Sequence, residues 1–75
     1  MDRLFAMRVF QKVAELGSFS QAADQLDMSK SAVSKTVRGL EDHLGAKLLH
    51  RTTRRLSLTD TGARYVQQAT RLLAD

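Results

Sequence analysis

The stretch "SKSAVSKTVRGLE", Ser29–Glu41, decides how the rest of the chain is read. Val33, Val37 and Leu40 fall at i, i+4 and i+7, and Leu44 continues the row at i+11. That spacing lays all four along one stripe of a helix over residues 30–44, with Ser29 as its N-cap. Opposite the stripe lie Ser31, Ser34, Lys35 and Arg38, with Lys30 at the N-terminal end. Glu41 and Asp42 enter only in the later turns. A helix start carrying hydroxyls and cations but no carboxylate suits a polyanion. Phosphates meet the positive end of the helix dipole. Lysine, arginine and hydroxyl groups can bond base edges in a DNA major groove or phosphate oxygens beside it. Gly39 interrupts the helix and costs about 1 kcal/mol relative to alanine. Close approach of a neighbour would account for it.

The charge distribution agrees. The 75-residue chain carries a net +4. Between Lys30 and Arg55 there are seven basic residues (Lys30, Lys35, Arg38, Lys47, Arg51, Arg54 and Arg55) against Glu41 and Asp42. That window is therefore +5 and the remainder −1. A basic segment on a nearly neutral body points to a polyanionic partner.

With 43% hydrophobic and 27% charged residues the composition is that of a globular domain. A chain of this length buries only about 60% of its unfolded surface. There is no cysteine, hence no disulfide framework and no thiolate metal site, which is compatible with a cytoplasmic protein. No apolar run approaches the ~20 residues of a membrane span. The opening "MDRLFAMRVF" has charges within its apolar pattern, unlike a signal peptide.

Working outward, residues 2–16 read as a helix ended by Gly17. Its polar side is Arg8, Gln11, Lys12 and Glu15. Phe5, Met7, Val9, Phe10, Val13, Ala14 and Leu16 form an apolar face wider than one core contact needs. Such a helix is either packed on two sides or shared with a second chain. "SFSQAADQL" opens the next helix, Ser18 and Gln21 having the capping-box spacing. "DMS" at 27–29 is a three-residue break before the basic helix.

After Gly45 the period changes. Leu56 and Leu58 alternate with Arg55 and Ser57, and Leu48 and Leu49 begin an apposed run, which predicts a two-stranded hairpin over 47–58 with its tip near Thr52–Arg54. Thr59 then caps a last helix, with Asp60 in its first turn and Tyr65, Val66, Ala69, Leu72 and Leu73 forming an apolar row. The chain stops at Asp75 with no stop signal, which reads as a piece of a longer protein.

Two short helices, a tight turn, a basic outward face and a basic hairpin make a winged helix-turn-helix. The fold expected is mainly α: a three-helix core, a two-stranded β-hairpin wing and a C-terminal linker helix. The domain would cover 1–58 and the linker helix would begin at 59–75.

"GSFSQAA", "SKSAVSKTVRGLEDHLGAKLLHR" and "LSLTDTG" together resemble the N-terminal domain of LysR-type transcriptional regulators, and the resemblance covers essentially the whole chain. It implies a bacterial transcription factor binding double-stranded DNA at interrupted inverted repeats as a homodimer or tetramer. It also implies a long linker helix and a further C-terminal domain that takes a small-molecule co-inducer, with no cofactor in the present segment. Carried over by position, groove contacts fall on Lys30, Ser31, Ser34, Lys35 and Arg38, and wing contacts on Arg51, Thr53, Arg54 and Arg55. Phosphate contacts from the second helix fall on Ser18, Ser20 and Gln21. Pairing of linker helices would use Tyr65, Val66, Ala69, Leu72 and Leu73, with Phe5 and Val9 of the first helix beside them. The family usually has glutamine, proline and arginine where this chain has Lys30, Ser31 and Lys35. A lysine offers a point charge where arginine offers a fork, so base preferences at these positions are the chain's own.

Other classes fit less well. His43 and His50 are the only histidines, and no nucleophile stands in a recognised motif with either, so an enzyme is disfavoured. His50 beside Arg51 reads as a wing residue near phosphate. Adjacent Glu41, Asp42 and His43 point in different directions on a helix and make a poor metal set. A winged helix that binds an acidic protein surface is the remaining alternative.

Overall fold

The computed structural model describes residues 2–51 and 56–74. Along the chain these form α1 (Arg3–Leu16), α2 (Phe19–Leu26), α3 (Lys30–Leu44), β1 (Leu49–Arg51), β2 (Leu56–Leu58) and α4 (Asp60–Ala74). This is the mainly α, winged helix-turn-helix order read from the sequence. The hairpin tip and Thr53, Arg54 and Arg55 lie outside the described residues.

Local signals fix the helix ends. The Asp2 carboxylate accepts from the Phe5 amide at 3.2 Å and starts α1. Ser18 and Ser29 do the same for α2 and α3, accepting from Gln21 N–H at 3.2 Å and Ala32 N–H at 3.1 Å. Gly17 and Gly45 end α1 and α3 in the left-handed conformation. α2 ends differently, with Asp27 itself left-handed at φ 56°. Its side chain carries the steric cost that glycine would avoid. Asp27→Gly is therefore expected to raise stability by about 0.5–1 kcal/mol, net of the extra freedom glycine gives the unfolded chain, in a urea titration.

α1 packs against α2, α3 and α4 and is the spine of the domain. Ala6, Val9, Phe10 and Val13 meet Ala22 and Ala23 of α2, Val33, Val37 and Leu40 of α3, and Leu48 and Leu49 at the start of the hairpin. The two alanines let α2 come close to its neighbours. So the wide apolar face of α1 is explained mostly within one chain. Val9 and Ala69, expected at a dimer contact, have no exposed surface and are core residues. Tyr65 and Val66 also pack on this core, and the Tyr65 ring lies 5.9 Å from that of Phe10. Burial pushes the Tyr65 phenol above its ordinary pKa, and nearby Arg3 partly offsets this. Of the expected dimer set, Phe5 and Leu72 are exposed and Leu73 is half-buried.

One expectation for α3 changes. Leu44, the last residue before the Gly45 cap, is 39% exposed rather than part of the buried stripe. The stripe ends at Leu40 because the helix has by then run past the core. Gly39 is half-buried. With Phe5, Lys35, Thr36 and His43 it lines a shallow groove beside the start of α1.

β1 and β2 pair antiparallel, with Leu49 opposite Leu58, His50 opposite Ser57 and Arg51 opposite Leu56. The strand root is tied to α4 through Thr59. Its amide donates to the Leu48 carbonyl at 3.0 Å, its hydroxyl donates to the Lys47 carbonyl at 2.7 Å, and the same oxygen accepts from the Gly62 amide at 2.9 Å. One threonine thus caps α4 and fastens it to the residues before β1.

Candidate nucleic-acid interface

α3 buries Val33, Val37 and Leu40 completely. That burial fixes the rotation of the helix and turns Lys30, Ser31, Lys35 and Arg38 outward, all exposed, with Ser34 half-buried at the edge. The first turn contains no acid. The expected groove-facing residues are therefore on one accessible side, at the positive end of the helix dipole.

Behind α3 the segment at and just before β1 adds Lys47 and Arg51. Arg38, Lys47, His50 and Arg51 line a groove of about 560 Å³, with Glu41, Leu49 and Thr59. Lys47 had no assigned contact in the sequence reading. It stands two residues ahead of β1 in the basic window, and only the return of the chain onto α3 brings it beside Arg38.

Arg51 departs from expectation. Its side chain is only 25% exposed, and two of its donors are used within the chain. Nη2 donates to Glu41 Oε1 and Nη1 to Ser34 Oγ, each at 3.4 Å. Its guanidinium carbon lies 5.1 Å from the centroid of the Phe19 ring. One side chain thus links α2, α3 and β1.

Glu41 is the residue of this region whose part the sequence does not reveal. It is only 4% exposed, and its Oε2 accepts from the amides of Leu48 at 2.8 Å and Leu49 at 3.3 Å. It joins α3 to the start of the hairpin. The sequence signal was slight: an acid one step from the apolar stripe, in a segment otherwise basic.

On α2, the Ser18 hydroxyl oxygen is committed to its cap, whereas Ser20 and Gln21 are exposed. Glu41, Asp42 and His43 do not converge. Glu41 is buried under the hairpin, and His43 Nε2 pairs with Arg3 Nη2 at 2.9 Å. Among the described residues no three potential metal ligands gather, and no described helix is long and apolar enough to cross a membrane.

The architecture is that of a winged helix-turn-helix with an exposed basic face on α3. The sequence profile described as "Bacterial regulatory helix-turn-helix protein, lysR family" matches residues 4–63. The chain belongs to that family.

Among its relatives, the HTH-type transcriptional regulator CrgA of Neisseria meningitidis is 55% identical over 69 residues, which cover 92% of this chain and 23% of CrgA. The HTH-type transcriptional activator AaeR of Escherichia coli is 53% identical over 73 residues, covering 97% of this chain and 24% of AaeR. The chain thus spans about a quarter of the length of these regulators. Among solved structures, the BenM DNA-binding domain in complex with catB site 1 DNA superposes with a TM-score of 0.91 at 37% identity, over 95% of this chain and 79% of that one. Full-length CbnR complexed with its target DNA gives 0.89 at 32% identity, over 95% of this chain and 25% of CbnR.

Proposed function

We propose that the chain is the sequence-specific double-stranded DNA-binding domain of a LysR-type regulator acting in the cytoplasm. The N-terminal half of α3 enters the major groove, and the basic hairpin lies on the backbone or in the adjacent minor groove. The observation that carries this reading is the outward, acid-free face of Lys30, Ser31, Lys35 and Arg38 on a helix whose rotation is fixed by a fully buried stripe. The DNA complexes of BenM and CbnR, both similar in fold and sequence, support it.

The domain acts as a homodimer on an interrupted inverted repeat, with tetramers open to the longer protein. A small-molecule co-inducer domain completes that longer protein. Exposed Leu72, at 64%, and exposed Phe5 support a role for α4 and the start of α1 in self-association. Leu72→Asp is expected to shift the chain toward monomer in sedimentation while leaving its circular dichroism melt in place. An unchanged sedimentation profile in a chain shown to self-associate would remove Leu72 from the interface.

The test of the recognition face is a comparison of duplexes. Lys35→Ala and Arg38→Ala are each expected to weaken binding to the selected site by about 10-fold or more, the value of one good base contact. Binding to random duplex should fall less. Equal losses on both duplexes would mean these side chains meet only phosphates.

A further inference from the structure

Ser34 has a cation fixed directly behind it. We propose that Arg51 sets the Ser34 hydroxyl as a hydrogen-bond donor, so that the domain reads through Ser34 a base that presents an acceptor in the major groove. This rests on the DNA-binding reading above.

A serine hydroxyl is ordinarily a rotor that both donates and accepts, and so distinguishes bases poorly. Here Arg51 Nη1 donates to Ser34 Oγ at 3.4 Å. The lone pair on that side is occupied, and the adjacent positive charge repels any further donor. The hydroxyl proton is left to point away from the guanidinium.

The guanidinium is itself held. Glu41 accepts from its Nη2 at 3.4 Å, and the Phe19 ring lies beneath it. Glu41 is in turn anchored by two backbone amides, so the cation behind Ser34 has a fixed place. Arg51 is a positioning residue in this account, and Ser34 makes the contact.

The consequence is a specific pattern. In the major groove cytosine offers a donor and no acceptor, whereas adenine, guanine and thymine each offer an acceptor. A hydroxyl fixed as donor excludes one orientation of the G·C pair and tolerates the other three pairs. A hydroxyl fixed as acceptor would tolerate only two pairs, those with adenine or cytosine on the contacted strand. A free rotor would tolerate all four.

The experiment selects duplexes from a random pool with the wild-type chain, Ser34→Ala, Arg51→Met and Arg51→Lys, each shown to be folded by circular dichroism. Arg51→Lys keeps a cation near Glu41 but lacks the fork that reaches Ser34, and serves where Arg51→Met does not fold. Ser34→Ala is expected to erase a preference of about 3- to 10-fold at one base pair per half-site, the worth of a single hydrogen bond. In the wild type that pair should show the pattern with one excluded orientation. The Arg51 variants should flatten the same pair and leave the pairs dependent on Lys35 and Arg38 unchanged.

A uniform loss of affinity in the Arg51 variants, with the Ser34-dependent pair still discriminated, would reduce Arg51 to a structural or phosphate role and overturn the proposal. A two-pair pattern, or no Ser34-dependent pair within an otherwise well-defined site, would also overturn it while leaving DNA recognition intact. Only the absence of any enriched site for the wild type would count against the DNA-binding reading itself.

Discussion

Glu41→Ala is expected to remove about 3–5 kcal/mol of stability. The carboxylate is buried, and its Oε2 receives the amides of Leu48 and Leu49 at 2.8 and 3.3 Å. Alanine leaves both amides without their acceptor among buried leucines. Each unpaired buried donor costs about 1–3 kcal/mol. Arg51 also loses the oxygen that holds its Nη2. A domain of this size has about 4–11 kcal/mol in total, so the variant should be largely unfolded in moderate urea. Glu41→Gln, which retains one acceptor oxygen, should fall between the two. Equilibrium denaturation measures all three chains. A loss below about 1 kcal/mol for the alanine variant would mean that the hairpin root is held by its leucines and not by this carboxylate.

Gly62→Ala should be as damaging, for a steric reason. A methyl built on Gly62 would stand 2.0 Å from the Leu48 carbonyl oxygen and 2.9 Å from its carbon. The obstacle is backbone, and it is pinned. The same carbonyl accepts the Thr59 amide at 3.0 Å, and Thr59 caps α4. Relief requires α4 and the segment before β1 to separate, which also loosens Tyr65, Val66 and Ala69 from α1. Overpacking commonly costs about 1–3 kcal/mol, and this site lies at or above the upper end because neither side can yield. The prediction is a melting temperature lower by about 15 °C or more, at about 4–8 °C per kcal/mol for a domain of this size. A melting temperature within a few degrees of wild type would mean that the start of α4 is free to shift.

These two residues also mark where the sequence stopped being informative. Ser18, Ser29, Thr59, Gly17 and Gly45 were legible because a cap depends on neighbours within a few residues, and all five act at the predicted ends. Gly62 reads from the sequence only as another glycine near an element boundary, like Gly17 and Gly45, whereas it stands buried in the first turn of α4. Its necessity comes from Leu48, which only the folded chain brings near. Glu41 was hidden for the same reason. An acid on a helix reads as solvated unless one knows that two amides seven and eight residues later return to it.

Periodicity also has a limit, seen at Val9 and Ala69. It establishes that a position is apolar and which side of the helix it shares. It does not say whether that side meets its own chain or another. Both proved to be core, and Leu72 proved exposed. The outward basic face was legible because both sides of α3 are written into its own turns: the apolar row fixes the buried side, and the cations are then outward. Arg51 was not. The basic count of its segment gave its charge but not its partners in α2 and α3.

This basic face is proposed to read a DNA sequence. The most direct measurement is selection of random duplexes by the chain at two salt concentrations, followed by sequencing of the bound pool. The expected result is enrichment of a two-fold-symmetric site whose binding weakens steeply with salt, as phosphate contacts require. Salt-sensitive binding with no enriched sequence would contradict the base-reading roles of Ser34, Lys35 and Arg38. No binding at low salt by a folded chain would contradict the DNA interface as a whole.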